Sequence, residues 1–585
     1  MPQLLDKTGL QHYANKMVLA ENRKVGSKPL PTALNDIDTA IDGMKTLFDQ
    51  EYGTVLDMKL TNTENIFSVG QGEPVDKRNE VENSFTDIAE IKGNSLVNIF
   101  KGVTHLPTSN VQTVFDGNKI TYSKRSEYTG NLYPGFLCGI VPCQQLKTNT
   151  IYTLIFNSEQ EIKSFGVAFQ ITGGSITNQS QKKVEKGNNF ITFTTPSSFN
   201  NYPYPSFYLR AFDGLPTDTA YVIKDIIVLQ GDWTNKSNPQ YFEGLKSVGE
   251  NTNNKINISS RNKNLDEGVE VYGKHYAYVN GSLGARDGFN SHKATVKSNT
   301  NYVLTNHHSN ITFWDSNYNF ISGLASGTKI TTPSNCKYVR YAVEVDSENK
   351  VQFEQGNNGT EFTPSIVDKK EISLTAPLRG IPNGVKDTIE KVGGEWKVIR
   401  RCGQILLNST YHFVIQNDNA LYPNGVRFVI SVSECSREKR RKEVVCNNFY
   451  STSEGQVHTA GLMFSYLGAL YTYHKDCTTV EELKTWLNEN PTHVVFELET
   501  PIIEDIDPIT LQCWKDGTIN IDEIFPVETT HTVSLNKPAQ IKKCIEELTI
   551  LKEKVQALEK NYDIMALEQA HQLALIENSI KIDIM

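Results

Sequence analysis

The sequence predicts a mainly β protein with tandem β-sandwich modules, helices at its N-terminal end and a coiled coil at its C-terminal end. Three observations predict this fold class: short runs in which apolar and polar residues alternate, an internal repeat, and a terminal heptad pattern. The chain has 585 residues, enough for about four domains of roughly 150 residues each. Its 25 Tyr and 26 Phe residues suit strands that are buried on one face.

The first 60 residues are predicted to be helical and to attach the chain to a partner. Apolar residues from Leu10 to Val18 fall on one face of a short amphipathic helix. From Leu34 to Phe48 they recur at intervals of three and four, which fits either a coiled-coil seam or two ordinary helices of a small bundle. Residues 61–95 are polar and contain glycine, and we predict a linker with short strands there.

A repeated motif is the clearest internal feature of the chain. Residues 147–154 read KTNTIYTL, and residues 297–304 read KSNTNYVL. An Asn-aliphatic pair precedes each copy, and TTPS, an aromatic-apolar-Arg triplet, Gln-Gly and a late aromatic residue follow in the same order. Ordered features with unequal spacing indicate a duplicated module whose loops have diverged. The predicted modules span residues 96–245 and 262–366, and the polar stretch between them is predicted to be a solvated linker.

Strand patterns fill both modules and the region that follows them. Runs such as IYTLIF and SFYLRAF alternate between Gly, Pro and Asn turns, which favours antiparallel strands and, with several strands per module, a β-sandwich. Residues 374–536 are predicted to form a β-rich domain with one helix. That helix should begin at a capping box of Thr479 and Glu482 and end at Asn490-Pro491.

The C-terminal segment, residues 538–585, has a heptad pattern typical of a coiled coil. An isolated helix of this kind would expose a continuous apolar stripe, so we predict that it oligomerises; folding back on its own domain is the alternative. The pattern does not decide between two strands and three. The predicted seam residues are Ile541, Cys544, Leu548, Leu551, Val555, Leu558, Tyr562 and Met565.

Composition and motifs argue against several function classes. The net charge of −9 provides no basic excess for a phosphate backbone, so we expect no nucleic-acid partner. The nine cysteines form no CxxC pair, which fits reduced thiols better than a zinc site or a disulfide scaffold. The N-terminus has no signal-peptide pattern, and no apolar run is long enough to insert into a membrane. We therefore expect no cofactor and no metal.

No motif of the chain requires an enzyme. The adjacent His307 and His308 would face opposite ways on a strand and could not share a metal. The carboxylates of residues 504–507 could in principle serve a glycosidase, but a solvated loop is the prediction there. The basic cluster at residues 437–443 is interleaved with Glu and is predicted to be a charged hairpin tip rather than a contact for an anionic polymer.

Aromatic residues of the modules are the candidate binding residues. A sugar presents an apolar CH face and a ring of hydroxyls, so its sites combine an aromatic ring with polar donors and acceptors. Packing within or between modules is the alternative role for such residues. The candidates are Tyr202, Tyr204, Tyr276, Tyr278, Trp314, Asp315 and Tyr318.

Several stretches resemble minor structural or receptor-binding tail proteins of phages, and of phage-tail-like bacteriocins, from low-GC Gram-positive bacteria such as clostridia. LLDKTGLQHYANKM is similar to their N-terminal helix, and EIKGNSLVNIF to the start of their β modules. FWDSNYNFISG, TTPSNCKYVR and VQFEQG resemble their jelly-roll modules, which are like carbohydrate-binding modules. PLRGIPNGVKDTIEKVGGEWKVIRRCG and VFELETPI are similar to their downstream β domain.

The resemblance implies a homotrimeric, non-enzymatic fibre or tip protein of the virion, made in the host cytoplasm. Its N-terminal helices would bind other tail or baseplate proteins, and its modules would bind a bacterial cell-surface polysaccharide. The family motifs include no agreed ligand residues, so none is transferred to this chain. The alternatives are a structural baseplate or adaptor protein and a polysaccharide depolymerase.

Overall fold

The computed structural model covers most of the chain, with gaps. The described residues are 58–69, 84–104, 111–125, 136–143, 145–171, 176–198, 206–211, 220–234, 236, 239–417, 426–437, 443–451, 462–466, 468–474, 476–514 and 516–534, together with the helical residues 38, 39, 41–43, 549, 550, 553, 554 and 557.

Chain contacts divide the molecule into two units. The larger comprises residues 59–79 and 86–532, and the smaller comprises residues 1–58, 80–85 and 533–585. All eight predicted seam residues of the C-terminal coil, from Ile541 to Met565, lie outside the described residues, as does most of the N-terminal helical region.

The predicted fold class is confirmed at the level of a mainly β protein. Every strand pair whose register the structure describes is antiparallel except one, in which Tyr450–Ser451 pairs in parallel with Leu462–Tyr466.

The strands are numbered along the chain by region. Residues 58–97 form β1 (Met58–Asn62), β2 (Ile66–Ser68), β3 (Ser84–Lys92) and β4 (Ser95–Val97). Residues 111–230 form β5 (Val111–Asp116), β6 (Lys119–Lys124), β7 (Phe136–Pro142), β8 (Ile151–Ser158), β9 (Ile162–Gln170), β10 (Ile176–Val184), β11 (Gly187–Thr194), β12 (Ser206–Ala211) and β13 (Tyr221–Gln230). Residues 245–261 form β14 (Leu245–Ser247) and β15 (Lys255–Arg261).

The strands of the second half of the chain, and its one described α-helix of eight or more residues, are numbered in the same way. Residues 269–355 form β16 (Val269–Val271), β17 (Lys274–Tyr276), β18 (Leu283–Ala285), β19 (Phe289–Thr295), β20 (Asn301–Thr305), β21 (Ser309–Trp314), β22 (Phe320–Leu324), β23 (Lys329–Thr331), β24 (Tyr338–Glu344) and β25 (Gln352–Gln355). Residues 367–534 form β26 (Val367–Ser373), β27 (Thr388–Val392), β28 (Glu395–Leu407), β29 (Val414–Asn417), β30 (Val426–Ser431), β31 (Val445–Cys446), β32 (Tyr450–Ser451), β33 (Leu462–Tyr466), β34 (Ala469–Tyr473), the helix α1 (Val480–Glu489), β35 (Thr492–Asp505), β36 (Thr510–Cys513), β37 (Thr518–Asp522) and β38 (Glu528–Ser534).

Each repeated module is bracketed by a pair of hydrogen-bonded strands. Strands β4 and β14 pair on either side of the first module, and β15 and β26 pair on either side of the second. Strand β37, from the far end of the chain, pairs with both β15 and β2. The two ends of each module are therefore adjacent, and each module projects from a framework built by distant parts of the sequence.

The stretch between the modules is not a solvated linker, and that prediction is wrong. Ile256, Ile258 and Ser260 alternate as buried residues along β15, and Val248 is also buried. The run is polar in composition, but its few apolar residues have the period of two that buries one face of a strand. The segment forms a strand because it pairs with β26 and β37. The sequence of this short segment alone does not show that these partner strands exist.

Within each module, two antiparallel sheets enclose one hydrophobic core. In the first module the sheets have the orders β10-β9-β12-β7 and β11-β8-β13-β6-β5. In the second the orders are β16-β19-β24-β21-β22 and β23-β20-β25. Aromatic side chains occupy both cores, among them Phe165 and Phe207 in the first and Tyr341 and Phe353 in the second.

The repeated motif makes the same hydrogen bonds in both modules. The backbone amide of Lys147 donates to the hydroxyl of the buried Tyr152 (3.0 Å), and that of Lys297 donates to the hydroxyl of Tyr302 (2.8 Å). The amides of Thr150 and Thr300 donate to the second threonine of their TTPS sequences, at 2.9 and 3.0 Å. The motif is conserved between the copies because its side chains close the turn that enters β8 and β20.

Strands from before and after the modules build the largest described sheet, with the order β1-β38-β3-β27-β28-β35-β31, and β36 also pairs with β3. The helix α1 has the capping box predicted for it, since the Thr479 side chain accepts from the Glu482 amide. The Gly393-Gly394 pair lies at positive φ (62° and 90°) in the hairpin turn between β27 and β28. Glycine tolerates this left-handed backbone without strain.

Candidate functional site

Arg340 lies at the centre of the candidate site, on the outer face of the five-stranded sheet of the second module. Along β24, Val339, Tyr341 and Val343 belong to the hydrophobic core, so the intervening Tyr338 and Arg340 point to the opposite face. Adjacent strands place Lys293 and Thr312 opposite Arg340.

The guanidinium group of Arg340 is held by a carboxylate and three aromatic rings. Its Nε and Nη2 donate to the two carboxylate oxygens of Glu270, at 2.5 and 2.7 Å. Its carbon lies 4.5 Å from the ring centroids of Tyr276 and Trp314 and 5.0 Å from that of Tyr318. A planar cation that pairs through two hydrogen bonds and stacks on rings is strongly oriented.

The arrangement continues along the sheet as a row of alternating cations and rings. The rings of Tyr318 and Tyr338 stack with centroids 4.5 Å apart and an interplanar angle of 1°. The Lys293 amine lies 5.5 Å from the Tyr338 centroid and 3.5 Å from Glu267. We call the set of Lys293, Tyr338, Tyr318, Arg340, Tyr276 and Trp314 the cation–aromatic row.

Burial raises the pKa of Tyr276 and of Tyr338. A tyrosine is protonated near neutral pH even at its ordinary pKa of about 10, so both phenol groups keep a hydroxyl that can donate a hydrogen bond. At the surface of this face Tyr318 is exposed and Tyr276, Lys293, Glu267 and Glu270 are half-buried, whereas Arg340 and Tyr338 are buried beneath them. The face therefore offers rings, a cation, a hydroxyl and carboxylates, which are the groups that recognise a polyhydroxylated ligand.

The candidate aromatic residues differ greatly in exposure. Tyr318 and Tyr278 are 45% and 40% exposed, whereas Trp314 is only 7% exposed and its indole donates to Thr312. Tyr318 has a φ of 59°, a left-handed conformation that is costly for an aromatic residue and turns its ring onto the row. The exposed edge of the row is therefore Tyr318, while the buried Trp314, Tyr338 and Arg340 form its packed base.

Asp315 supports the loop of the site from within. It is fully buried, and its Oδ1 accepts from the backbone amides of Asn317 and Asn319, both at 2.8 Å. Its Oδ2 accepts from the side chain of Asn157 in the first module (3.0 Å), so it also joins the two modules. Burial raises the pKa of Asp315, against the opposing effect of these hydrogen bonds. Asp315 is therefore a structural residue of the loop that carries Tyr318.

The structure brings the predicted candidates Tyr276, Trp314 and Tyr318 together around Arg340, but sequence reasoning missed Arg340 and Glu270 as site residues. Arg340 was noted as part of the repeated triplet, but its role depends on Glu270 and Tyr276, which come from distant strands. The equivalent Arg210 of the first module instead donates to Asn178 (2.7 Å). The exposed Tyr272, at 74%, was also missed. Two predicted candidates, Tyr202 and Tyr204, lie outside the described residues.

Other groups singled out from the sequence have structural partners. The prediction of a loop is wrong for Glu504 and Asp505, which end β35 because they pair with β28 and form ion pairs with Arg400 and Lys397. His307 and His308 lie in the loop between β20 and β21 rather than on a strand. Most of the basic cluster at residues 437–443 lies outside the described residues.

Three further observations concern only the described part of the chain. No group of three or more His, Cys, Asp or Glu side chains there is arranged to hold a metal ion. Among its cysteines, Cys143, Cys336, Cys402 and Cys446 are buried thiols that form no disulfide. Among its helices, none has the length and apolar character needed to span a membrane.

We expect Arg340→Lys to lower the free energy of unfolding by about 2 kcal/mol, because lysine cannot form the paired hydrogen bonds to Glu270 or stack among the rings. Urea unfolding of the full chain measures the change. Arg286→Lys is the matched control, since Arg286 stacks on Phe289 at 4.0 Å and forms no ion pair with a carboxylate of the described residues. Equal effects of the two substitutions would contradict a special role for Arg340.

The comparison with known proteins gives no independent assignment for this face or for the chain. No protein-family model matches the sequence, and no curated protein matches it.

Proposed function

We propose that this chain is a tail-fibre or receptor-binding protein of a phage or of a phage-tail-like bacteriocin. In this proposal it attaches the particle to a glycan on the bacterial surface, without catalysis, through the outer face of the second module. The observation that carries the proposal is the cation–aromatic row, whose exposed ring, Tyr318, lies beside oriented charges and hydroxyls. Such a surface suits the CH face and the hydroxyl ring of a sugar.

The architecture supports the same proposal. Each module has two sheets around one core, as expected for jelly rolls that resemble carbohydrate-binding modules. Each module also projects from paired strands of a framework, so its loops and outer face are presented to a ligand by a rigid base. The tail-protein resemblance of the sequence points to the same class of protein.

Assembly completes the proposal. The heptad pattern of residues 538–585 would join three chains, and the N-terminal helices would attach the trimer to other tail proteins. Three copies of a weak site bind a repetitive surface tightly, because the second and third contacts benefit from a high effective concentration.

We expect Tyr318→Ala to weaken binding of the full-length protein to isolated cell-wall polysaccharide of a sensitive Gram-positive bacterium about tenfold per site. The ring supplies apolar contact that alanine cannot replace. The affinity is measured as binding of the protein to polysaccharide immobilised on a surface. Adsorption of the protein to whole cells gives a second measurement. Phe362→Ala is the matched control, because Phe362 is 39% exposed in the same module and lies outside the row. Equal binding by wild type and the Tyr318 variant would refute the proposed face.

A structural baseplate or adaptor protein is the second candidate function. Ile502 and Ile503 favour it, since they are 54% and 64% exposed on successive residues of β35 and offer an apolar contact to another protein. This alternative predicts that the purified protein binds neither cells nor polysaccharide, but binds other tail proteins and loses that binding on Ile503→Asp.

A further inference from the structure

A cleft of ≈ 660 Å³ lies between the two modules, and no residue of the cation–aromatic row lines it. Its walls come from the β10–β11 hairpin of the first module, from the turns of the repeated motif in the second, and from residues next to β2 and β37 of the framework. A side-chain amide of Asn335 donates to the backbone carbonyl of Asn188 across this boundary. The volume lies within the range of about 300–1,000 Å³ found for small-molecule sites.

Lysine is the most frequent charged residue of the cleft. Six lysines and four carboxylates are among the lining residues, although the chain as a whole has a net charge of −9. One lysine, Lys183, forms ion pairs with Glu161 and Glu185. Lys337 and Lys297 are half-buried at the wall, whereas Lys186 is exposed. The cleft therefore concentrates positive charge locally.

Three buried polar atoms are available in the same walls. Glu523 Oε2, Ser316 Oγ and Asn188 Nδ2 have no hydrogen-bond partner among the residues that the structure describes. Their side chains line the cleft and are at most 7% exposed. The other carboxylate oxygen of Glu523 accepts from the Gly249 amide (3.0 Å), which fixes its position. Buried polar atoms of native proteins are normally paired, so such a cluster indicates a binding partner.

We infer that the cleft binds an anionic saccharide, a sugar or polyol that bears a phosphate or a carboxylate. The lysines would pair with the anionic group. Sugar hydroxyls can both donate and accept, so they match an amide donor, a hydroxyl and a carboxyl oxygen within one site. An anion without hydroxyl groups would pair only with the lysines and would leave the three buried polar atoms without a partner. The inference rests on the cleft residues alone and does not depend on the cation–aromatic row.

The titration of the cleft agrees with an anionic ligand. Burial lowers the pKa of Lys337 to about 8, against the opposing effect of Asp522, Glu267 and Glu64. Burial raises the pKa of Glu523 to about 8, and Asp522 adds to the increase. As the pH rises through this range, the lysine loses its positive charge and the carboxyl group gains a negative one. Both changes weaken the binding of an anion, so affinity should fall between about pH 7 and about pH 9.

The test is saturation-transfer NMR on the full-length protein with glucose 1-phosphate, glucuronic acid and glucose as the observed ligands. Inorganic phosphate, which has no carbon-bound proton to observe, is added as a competitor of glucose 1-phosphate. We expect transfer to one or both anionic sugars, with affinity lowered about tenfold by Lys337→Gln. The difference in affinity between glucose 1-phosphate and glucuronic acid shows whether the cleft prefers a phosphate or a carboxylate. Lys329→Gln, an exposed lysine of the same module, is the matched control. Ser316→Ala removes one hydroxyl and provides a second, smaller variant in case Lys337→Gln does not fold.

The outcomes separate this inference from the proposed function. An affinity for glucose equal to that for glucose 1-phosphate would refute an anion site. Competition by inorganic phosphate with an affinity equal to that of glucose 1-phosphate would refute a saccharide site. Absence of transfer to both anionic sugars, or unchanged affinity in both Lys337→Gln and Ser316→Ala, would overturn the inference. Tyr318→Ala should leave binding in the cleft unchanged while it weakens binding to polysaccharide at the outer face.

Discussion

Replacing Asn264 with alanine is expected to lower the free energy of unfolding by roughly 3–5 kcal/mol, because four backbone groups lose their hydrogen-bond partner in the interior of the second module. The buried amide donates to the carbonyls of Val351 and Thr363, both at 2.9 Å. Its oxygen accepts from the amides of Asp266 (3.2 Å) and Phe353 (3.1 Å). One side chain thus joins the first residues of the module to β25 and to the segment that leaves it.

The equivalent residue of the first module, Asn98, provides a parallel test of the same prediction. Asn98 donates to the carbonyls of Ile226 and Phe242 and accepts from the amides of Phe100 and Val228, all at 2.9–3.0 Å. Asn98→Ala should therefore destabilise its own module by a similar amount.

Urea unfolding of the full chain, with hydrogen exchange to locate the weakened module, measures both effects. Asn262→Ala is a graded control, since Asn262 makes two such bonds, to Pro364 and Ile366, and should cost about half as much. An effect of Asn264→Ala no larger than that of Asn262→Ala would contradict the proposed role.

The second large effect is expected on acidification, through His531 of β38. This side chain is fully buried, its ring lies 5.0 Å from that of Phe67, and neither nitrogen has a hydrogen-bond partner among the described residues. Burial lowers its pKa to about 4, whereas an exposed histidine titrates near about 6.5. Between about pH 6.5 and about pH 4 the unfolded chain therefore binds a proton at this histidine, whereas the folded chain does not. The neutral His531 therefore contributes its full stabilisation above about pH 6.5. As the pH falls towards about 4, this residue lowers the free energy of unfolding progressively, by about 3 kcal/mol in total.

His531→Leu should remove that part of the acid sensitivity. The free energies of unfolding of wild type and variant, measured by urea unfolding from neutral to acid pH, should differ by a pH-dependent amount. Because carboxylates titrate in both proteins, only the difference between the two curves reports on His531. His412→Leu, at an exposed position, is the control for the loss of an imidazole ring. A constant difference between wild type and the His531 variant would contradict a neutral buried imidazole.

Local patterns in the sequence determined those features whose partners are near in the chain or are repeated in it. The duplicated motif was visible because each copy closes its turn with its own side chains, from Lys147 to Tyr152 and from Lys297 to Tyr302. The capping box of Thr479 and Glu482 involves residues three apart. The alternation of buried and exposed residues along single strands predicted the mainly β class. None of these features needs a contact with a distant segment.

The tertiary structure alone decided how these elements combine. Strand β15 appeared to be a linker because its β partners are supplied by residues 367–373 and 518–522. Arg340 became the centre of the candidate site only because Glu270, Tyr276 and Tyr318 reach it from other strands and loops. The cleft likewise joins lysines and buried polar atoms of three separate regions. Pairing of distant strands depends on the whole set of competing partners, so periodicity within a single segment cannot specify it.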